Sequence, residues 1–184
     1  MKKRLFISCM MFMFIACTNQ ETNESASPGN ESQTKAEDLV YPYKVNFKNF
    51  KADNQKNTEV ILNIWKYWDS NEIDKQADMW ADSAEVHTWD GVYIKGNRDT
   101  LTESGKRFRN NFSSVVSSVN GVISFTGTNI TTGKNENWAT VWGKRVMVDN
   151  AGKADSIWLH EAWRLNDQRK IEVLFQFAAK IGPQ

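Results

Sequence analysis

Few residues in this chain are placed to move a proton in an apolar setting. The stretch SIWLHEAWRL, Ser156 to Leu165, alternates as a β-strand, and Glu161 shares its parity with Ile157, Leu159, Trp163 and Leu165. A carboxylate on such a face is costly to ionise alone, so Glu161 needs a partner or a proton. Protonated, it would donate a hydrogen bond inside a pocket. Paired, it would form a salt bridge to a neighbouring strand, with Arg145 as one example. Its parity predicts a pocket-facing position. Asp90, two residues beyond Thr88 and on the same parity, is the carboxylate that would complete an acid–base pair; Asp90-Gly91 is also an ordinary turn.

Other chemistries find less support. His87 and His160 are the 2 histidines, and alternation turns both away from the Glu161 face. They bring no third convergent ligand, so no metal site is expected. No serine sits on a nucleophile elbow and no glycine-rich loop suits a phosphate, so no cofactor is implied. The formal charge of +1 is too small for a nucleic-acid surface.

The aromatic content suggests what surrounds Glu161. The chain has 8 Trp, 10 Phe and 4 Tyr, and Trp lines cores and apolar pockets because it joins a large apolar body to one N–H donor. Trp65 and Trp68 lie on one side of a predicted helix. Which residues flank Glu161 depends on turn length. A two- or four-residue loop in DNAGK places Trp138, Thr140 and Trp142 on its face, and this is the assignment taken. A three- or five-residue loop would place Ala139 and Val141 there. In the next hairpin, a three-residue loop brings Ile171, Val173, Phe175 and Phe177 to that face, whereas a four-residue loop brings Leu174 and Gln176; both remain open. The expected pocket therefore comprises Trp65, Trp68, Thr88, Trp138, Thr140, Trp142, Glu161 and Trp163.

These residues need elements to hold them. Residues 1–16 combine a basic start, Lys2, Lys3 and Arg4, with an apolar run too short to span a bilayer, and read as a secretory signal. Residues 17–40 contain few apolar side chains and predict a disordered tether. Residues 41–57 predict an extended arm, and residues 58–184 the folded domain. Asn57 or Thr58 should cap a helix carrying Val60, Ile61, Ile64, Trp65 and Trp68. A short helix over Ile73 to Trp80, strands over Glu85 to Trp89 and Val92 to Lys95, and a helix capped by Asn97 that takes in Phe112 should follow. Four strands come last, over about Gly121–Thr131, Trp138–Val148, Ser156–Asn166 and Lys170–Lys180. Helices followed by a run of antiparallel strands predict an α+β fold.

The end of the leader, Phe14-Ile15-Ala16-Cys17, resembles the bacterial lipobox, with Phe14 where leucine is usual. The resemblance implies cleavage before Cys17 and a lipid on it. The protein would then be exported and anchored to the cell envelope. Thr18 and Asn19 carry no aspartate retention signal, which by analogy implies the outer membrane. Cleavage takes Lys+Arg from 23 to 20 against 22 Asp+Glu, so the mature chain is near −2. With Cys9 removed and Cys17 modified, no intrachain disulfide and no thiol nucleophile remain.

The domain itself resembles the NTF2-like (cystatin-like) superfamily, including its SnoaL-like and ketosteroid-isomerase-like members. WADSAEVHTWDG is similar to the F-A-D-D-A-x-V-x-D-P-x-G stretch of those proteins, and HEAWRLNDQRKIEVLFQF is similar to their closing hairpin. The resemblance implies a cone of three N-terminal helices packed on a strongly curved, mainly antiparallel sheet. Carried over residue by residue, the isomerase base falls on Thr88, which is no base near neutral pH. The oxyanion tyrosine falls on Ile64, with Tyr67 on another face, and the protonated acid falls on Glu161. Ketosteroid isomerisation is therefore argued against. Three functional expectations follow. The first is binding of a small, largely apolar molecule in an aromatic-lined pocket; the second is a SnoaL-like acid–base reaction using Glu161 and Asp90; the third is a homodimer through the sheet face.

Overall fold

The computed structural model describes residues 43–52 and 55–180. The signal expected over 1–16, the lipid-bearing Cys17 and the tether over 17–40 lie outside the described residues. Seven strands and three helical segments alternate as β1 (Phe47–Ala52), α1 (Lys56–Asp69), a 3₁₀ helix (Ile73–Met79), β2 (Trp80–His87), β3 (Tyr93–Gly96), α2 (Arg98–Arg109), β4 (Phe112–Asn129), β5 (Asn135–Asp149), β6 (Ala154–Leu165) and β7 (Ile171–Lys180). The strands form one curved sheet in the order β1-β4-β5-β6-β7-β2-β3. Every pairing is antiparallel except β2 with β7. The α+β expectation is met.

Helix α1 forms because its apolar residues recur at helical spacing, burying Ile61, Ile64 and Trp65. It starts earlier than expected. Gln55 holds the N-cap position without a side-chain bond, and the Thr58 hydroxyl donates back to the Gln55 carbonyl at 2.5 Å. Asn97 caps α2 as expected, its Oδ1 accepting from the Thr100 N–H at 2.9 Å. That helix stops at Arg109. Phe112, expected within it, instead opens β4, since the following Ser and Val residues pair along β5 from Phe112 with Asp149 onward. Strand β2 likewise begins at Trp80, five residues before the expected Glu85.

The core lies between the helices and the inner face of the sheet. Ile61, Ile64 and Trp65 of α1 pack with Ala139 and Val141 of β5, with Ile157, Leu159, Trp163 and Leu165 of β6, and with Leu174 of β7. Burial of each large aliphatic side chain contributes about 1.5–3 kcal/mol. Arg109, almost fully buried, locks the helices to the sheet: it donates to the carbonyls of Trp68 (2.9 Å), Asp69 (3.3 Å) and Phe112 (2.7 Å). Two of those carbonyls belong to the last turn of α1, where the Trp68 carbonyl also accepts from the Asn71 N–H at 3.3 Å. Burial pushes the Arg109 guanidinium below its ordinary value, and the nearby Asp69 charge opposes that shift.

Candidate functional site

The face that Glu161 shares is decided by two turns. In the β5–β6 hairpin the loop is three residues, Asn150 to Gly152. Asp149 closes it, its N–H donating to the Lys153 carbonyl and its Oδ1 accepting from the N–H groups of Ala151 (2.9 Å) and Lys153 (2.8 Å). Gly152 supplies the positive φ of +84° that the turn requires. The resulting register pairs Val141 with Glu161 and Ala139 with Trp163. Odd-numbered residues of β5 therefore face inward.

This overturns the assignment of Trp138, Thr140 and Trp142 to the pocket. All three lie on the outer face. The Trp138 indole donates to Glu136 at 3.0 Å and stacks on Phe175. The Thr140 hydroxyl meets His160 Nε2 at 2.6 Å and donates to the Glu161 carbonyl at 2.9 Å. Trp142 is 39% exposed and lies over Gly121, where an added Cβ would come within 2.2 Å of the indole.

The last hairpin combines both of the open alternatives. Its loop is three residues, Asp167 to Arg169, with Arg169 at φ +60°, and it pairs Leu165 with Ile171. The register then shifts between Arg164 and Leu165, so Leu174 opposes Trp163 and Gln176 opposes Glu161. One extra residue in β7 turns its later side chains over. Phe177 consequently points outward, 59% exposed.

Inside the cone is a cavity of about 200 Å³, lined by Trp65, Trp68, Trp80, Trp89, Trp163, Ile64, Leu159, Leu174, Arg145, Gln176 and Glu161 among others. Trp65, Trp68, Thr88, Glu161 and Trp163 line this cavity, and so does Asp90. Asp90 is an exposed residue in the turn after β2, and its carboxylate accepts from the Thr88 hydroxyl. Glu161, in contrast, is 1% exposed. Trp65 Nε1 donates to its Oε2 at 2.6 Å, and Gln176 Nε2 donates to its Oε1 at 2.7 Å. Helix, strand β6 and strand β7 meet at this one carboxylate.

Arg145 was considered from sequence only as a salt-bridge partner for Glu161. It is buried on the same wall, but the two form no ion pair within 4.0 Å. Its guanidinium instead lies over the Trp65 ring at 4.7 Å and nearer Trp68 at 5.8 Å. Burial pushes it below its usual value, while the charges of Glu161 and Asp69 act the other way. Gln176 was left open with the turn, and Trp80, Ile64 and Met147 were not anticipated as lining. The signal for Met147 is parity with Val141 and for Gln176 parity with Leu174, readable only once each turn is fixed; Ile64 on α1 and Trp80 at the start of β2 carry no such signal. The histidines lie outside, as alternation predicts: His87 stacks on Phe175 at 4.6 Å and packs with Tyr93 at 4.8 Å. Among the described residues no group of three or more His, Cys, Asp or Glu is placed to hold a metal ion.

No family model and no curated protein matches the chain. Solved structures do. The SalBIII protein, described as an epoxide hydrolase/cyclase-like enzyme in pyran ring formation in polyether salinomycin, aligns with a TM-score of 0.53 at 15% identity, covering 69% of this chain and 93% of its own. A putative SnoaL-like polyketide cyclase from Shewanella denitrificans aligns at 0.55 and 6% identity, covering 68% of this chain and 92% of its own. The fold is the NTF2-like cone. An LEH-like epoxide hydrolase of M. tuberculosis shares it at a TM-score of 0.52 and 8% identity, covering 67% of this chain and 82% of its own. At such identities the likeness concerns the fold, and function has to be argued from the site.

Proposed function

We propose that this NTF2-like domain binds a small, largely apolar molecule in the cavity of its cone. The proposal includes export and attachment to the cell envelope through a lipid on Cys17. The observation that carries it is the cavity, walled by Trp65, Trp68, Trp80 and Trp163 and floored by a carboxylate already held by two donors. Its volume of about 200 Å³ lies below the ~300–1,000 Å³ usual for drug-sized ligands, so the occupant is small. Glu161 here acts as a brace between α1 and the sheet, which leaves the aromatic walls to do the binding.

A second reading, an acid–base reaction of the SnoaL-like kind, is favoured by one observation: Asp90 and Glu161 line the same cavity. The commitment of both Glu161 oxygens to protein donors weighs against it, since a proton-transferring carboxyl needs an oxygen open to its substrate.

A tryptophan-emission screen of small apolar compounds, with mass spectrometry of each mixture, tests the two together. Binding predicts a saturable change in emission with the compound recovered intact. Recovery of a converted product would transfer the assignment to the enzyme reading. No response from any compound class would contradict both.

A further inference from the structure

Arg145 is a cation buried on the cavity wall that the reading above leaves without a task. Its Nε donates to Ser117 Oγ at 3.0 Å. That is its one hydrogen bond among the described residues, although a guanidinium carries five N–H donors. The cation lies over the Trp65 and Trp68 rings, at 4.7 Å and 5.8 Å from their centroids. These contacts give its N–H groups no oxygen acceptor.

The nearby anions are committed elsewhere. Asp69 accepts from the Ser117 backbone N–H and from its hydroxyl, both at 2.8 Å, so it orients the serine that holds Arg145 Nε. Glu161 accepts from Trp65 and Gln176. Both act on Arg145 as a field and neither forms an ion pair with it. The polar capacity left at this wall is therefore donor capacity: the terminal nitrogens of the Arg145 guanidinium, which carry its charge, and the indole N–H groups of Trp68 and Trp163, which are buried without a partner. A ligand acceptor that meets these donors gains a hydrogen bond from each, and a charge-assisted one from the guanidinium.

We infer that Arg145 is the specificity group of the cavity, and that it takes the carboxylate of a ligand whose remaining body is apolar. The assignment rests on the cavity-binding reading and narrows it from apolar molecules to small apolar carboxylates. A planar fork facing a planar carboxylate allows two parallel N–H···O bonds, which a lysine cannot reproduce. The tryptophans then accommodate the apolar body. A cationic ligand is disfavoured, because Glu161 has no oxygen without a donor and Arg145 repels it.

The experiment compares matched pairs, octanoate with octanamide and 4-phenylbutanoate with 4-phenylbutanamide. Binding is measured by calorimetry on the mature chain from residue 17 carrying Cys17→Ser. The carboxylate of at least one pair is expected to bind about tenfold or more tighter than its amide, the gain of one charge-assisted fork. Arg145→Met is expected to erase that preference while leaving amide affinity within about threefold, and Arg145→Lys to restore part of it. The wild-type comparison decides without any variant, should Arg145→Met not fold. Amides that bind as well as their carboxylates overturn the role of Arg145 and leave the cavity reading intact. Failure of every compound to bind overturns both.

Discussion

At Glu161 each carboxylate oxygen meets a donor from a different element, Trp65 of α1 and Gln176 of β7. That explains how an acid can sit 1% exposed on an apolar face. It also makes the residue a structural junction. Removing the carboxylate strands the buried Trp65 donor, at a cost of about 1–3 kcal/mol, and the half-buried Gln176 donor, at less. Glu161→Leu should therefore lower unfolding stability in urea by about 2–4 kcal/mol, and Glu161→Gln by less, since an amide oxygen can still accept one of the two bonds. Equal stability of Glu161→Leu and wild type would show that the bonds contribute nothing. Parity was enough to place Glu161 and Trp163 on the cavity wall, and Thr88 came from the family motif. Parity could not supply Gln176 or Arg145 as neighbours, because a side chain's own strand says nothing about the strand beside it.

At the scale of elements, two short turns decide which aromatic residues look inward. The Asp149 side chain gathers the N–H groups of Ala151 and Lys153 and closes a three-residue loop, which sends Trp138 and Trp142 outside. The composition of DNAGK suits several loop lengths, so its sequence left the face undetermined. The bulge before Leu165 had no sequence signal of the usual kind, a glycine or a charged edge, and it alone reconciles Ile171 and Gln176 on one face. The boundary of α2 was missed for a related reason: Phe112 fits the helical stripe of Leu101 and Phe108, but its pairing along β5 prevails. Arg109 then ends the helix and serves the end of α1 through two backbone carbonyls, while a third bond reaches the Phe112 carbonyl at the start of β4. Hydrogen bonds from a charged group to buried acceptors are strong, so Arg109→Met should cost about 2–4 kcal/mol in urea unfolding. Loss of no more than a few tenths of a kcal/mol would mean that water replaces the guanidinium at those carbonyls.

For the whole molecule, the order of elements was legible because periodicity changes from helical to alternating along the chain. The cone over the helices was what the family resemblance implied, and solved structures with TM-scores of 0.53 and 0.55 share the fold. The fold divides the tryptophans into two sets. Trp65, Trp68, Trp80, Trp89 and Trp163 line the cavity. Trp142 and Trp158, with Phe177 and Ile123, are exposed on the sheet, at 39%, 48%, 59% and 52% respectively. A single domain thus presents an aromatic cavity, with Trp89 at its exposed margin, and an open aromatic face. The two sets respond to different events, ligand entry for the first and contact through the sheet for the second.

That division makes one measurement decisive for the cavity. The eight indole N–H groups each give a resonance in a ¹⁵N–¹H correlation spectrum. Titrating the tightest compound from the emission screen should shift Trp65, Trp68 and Trp163 saturably and leave Trp142 and Trp158 unmoved. Shifts confined to Trp142 and Trp158, or no compound that moves the inner set, would contradict a ligand site inside the cone.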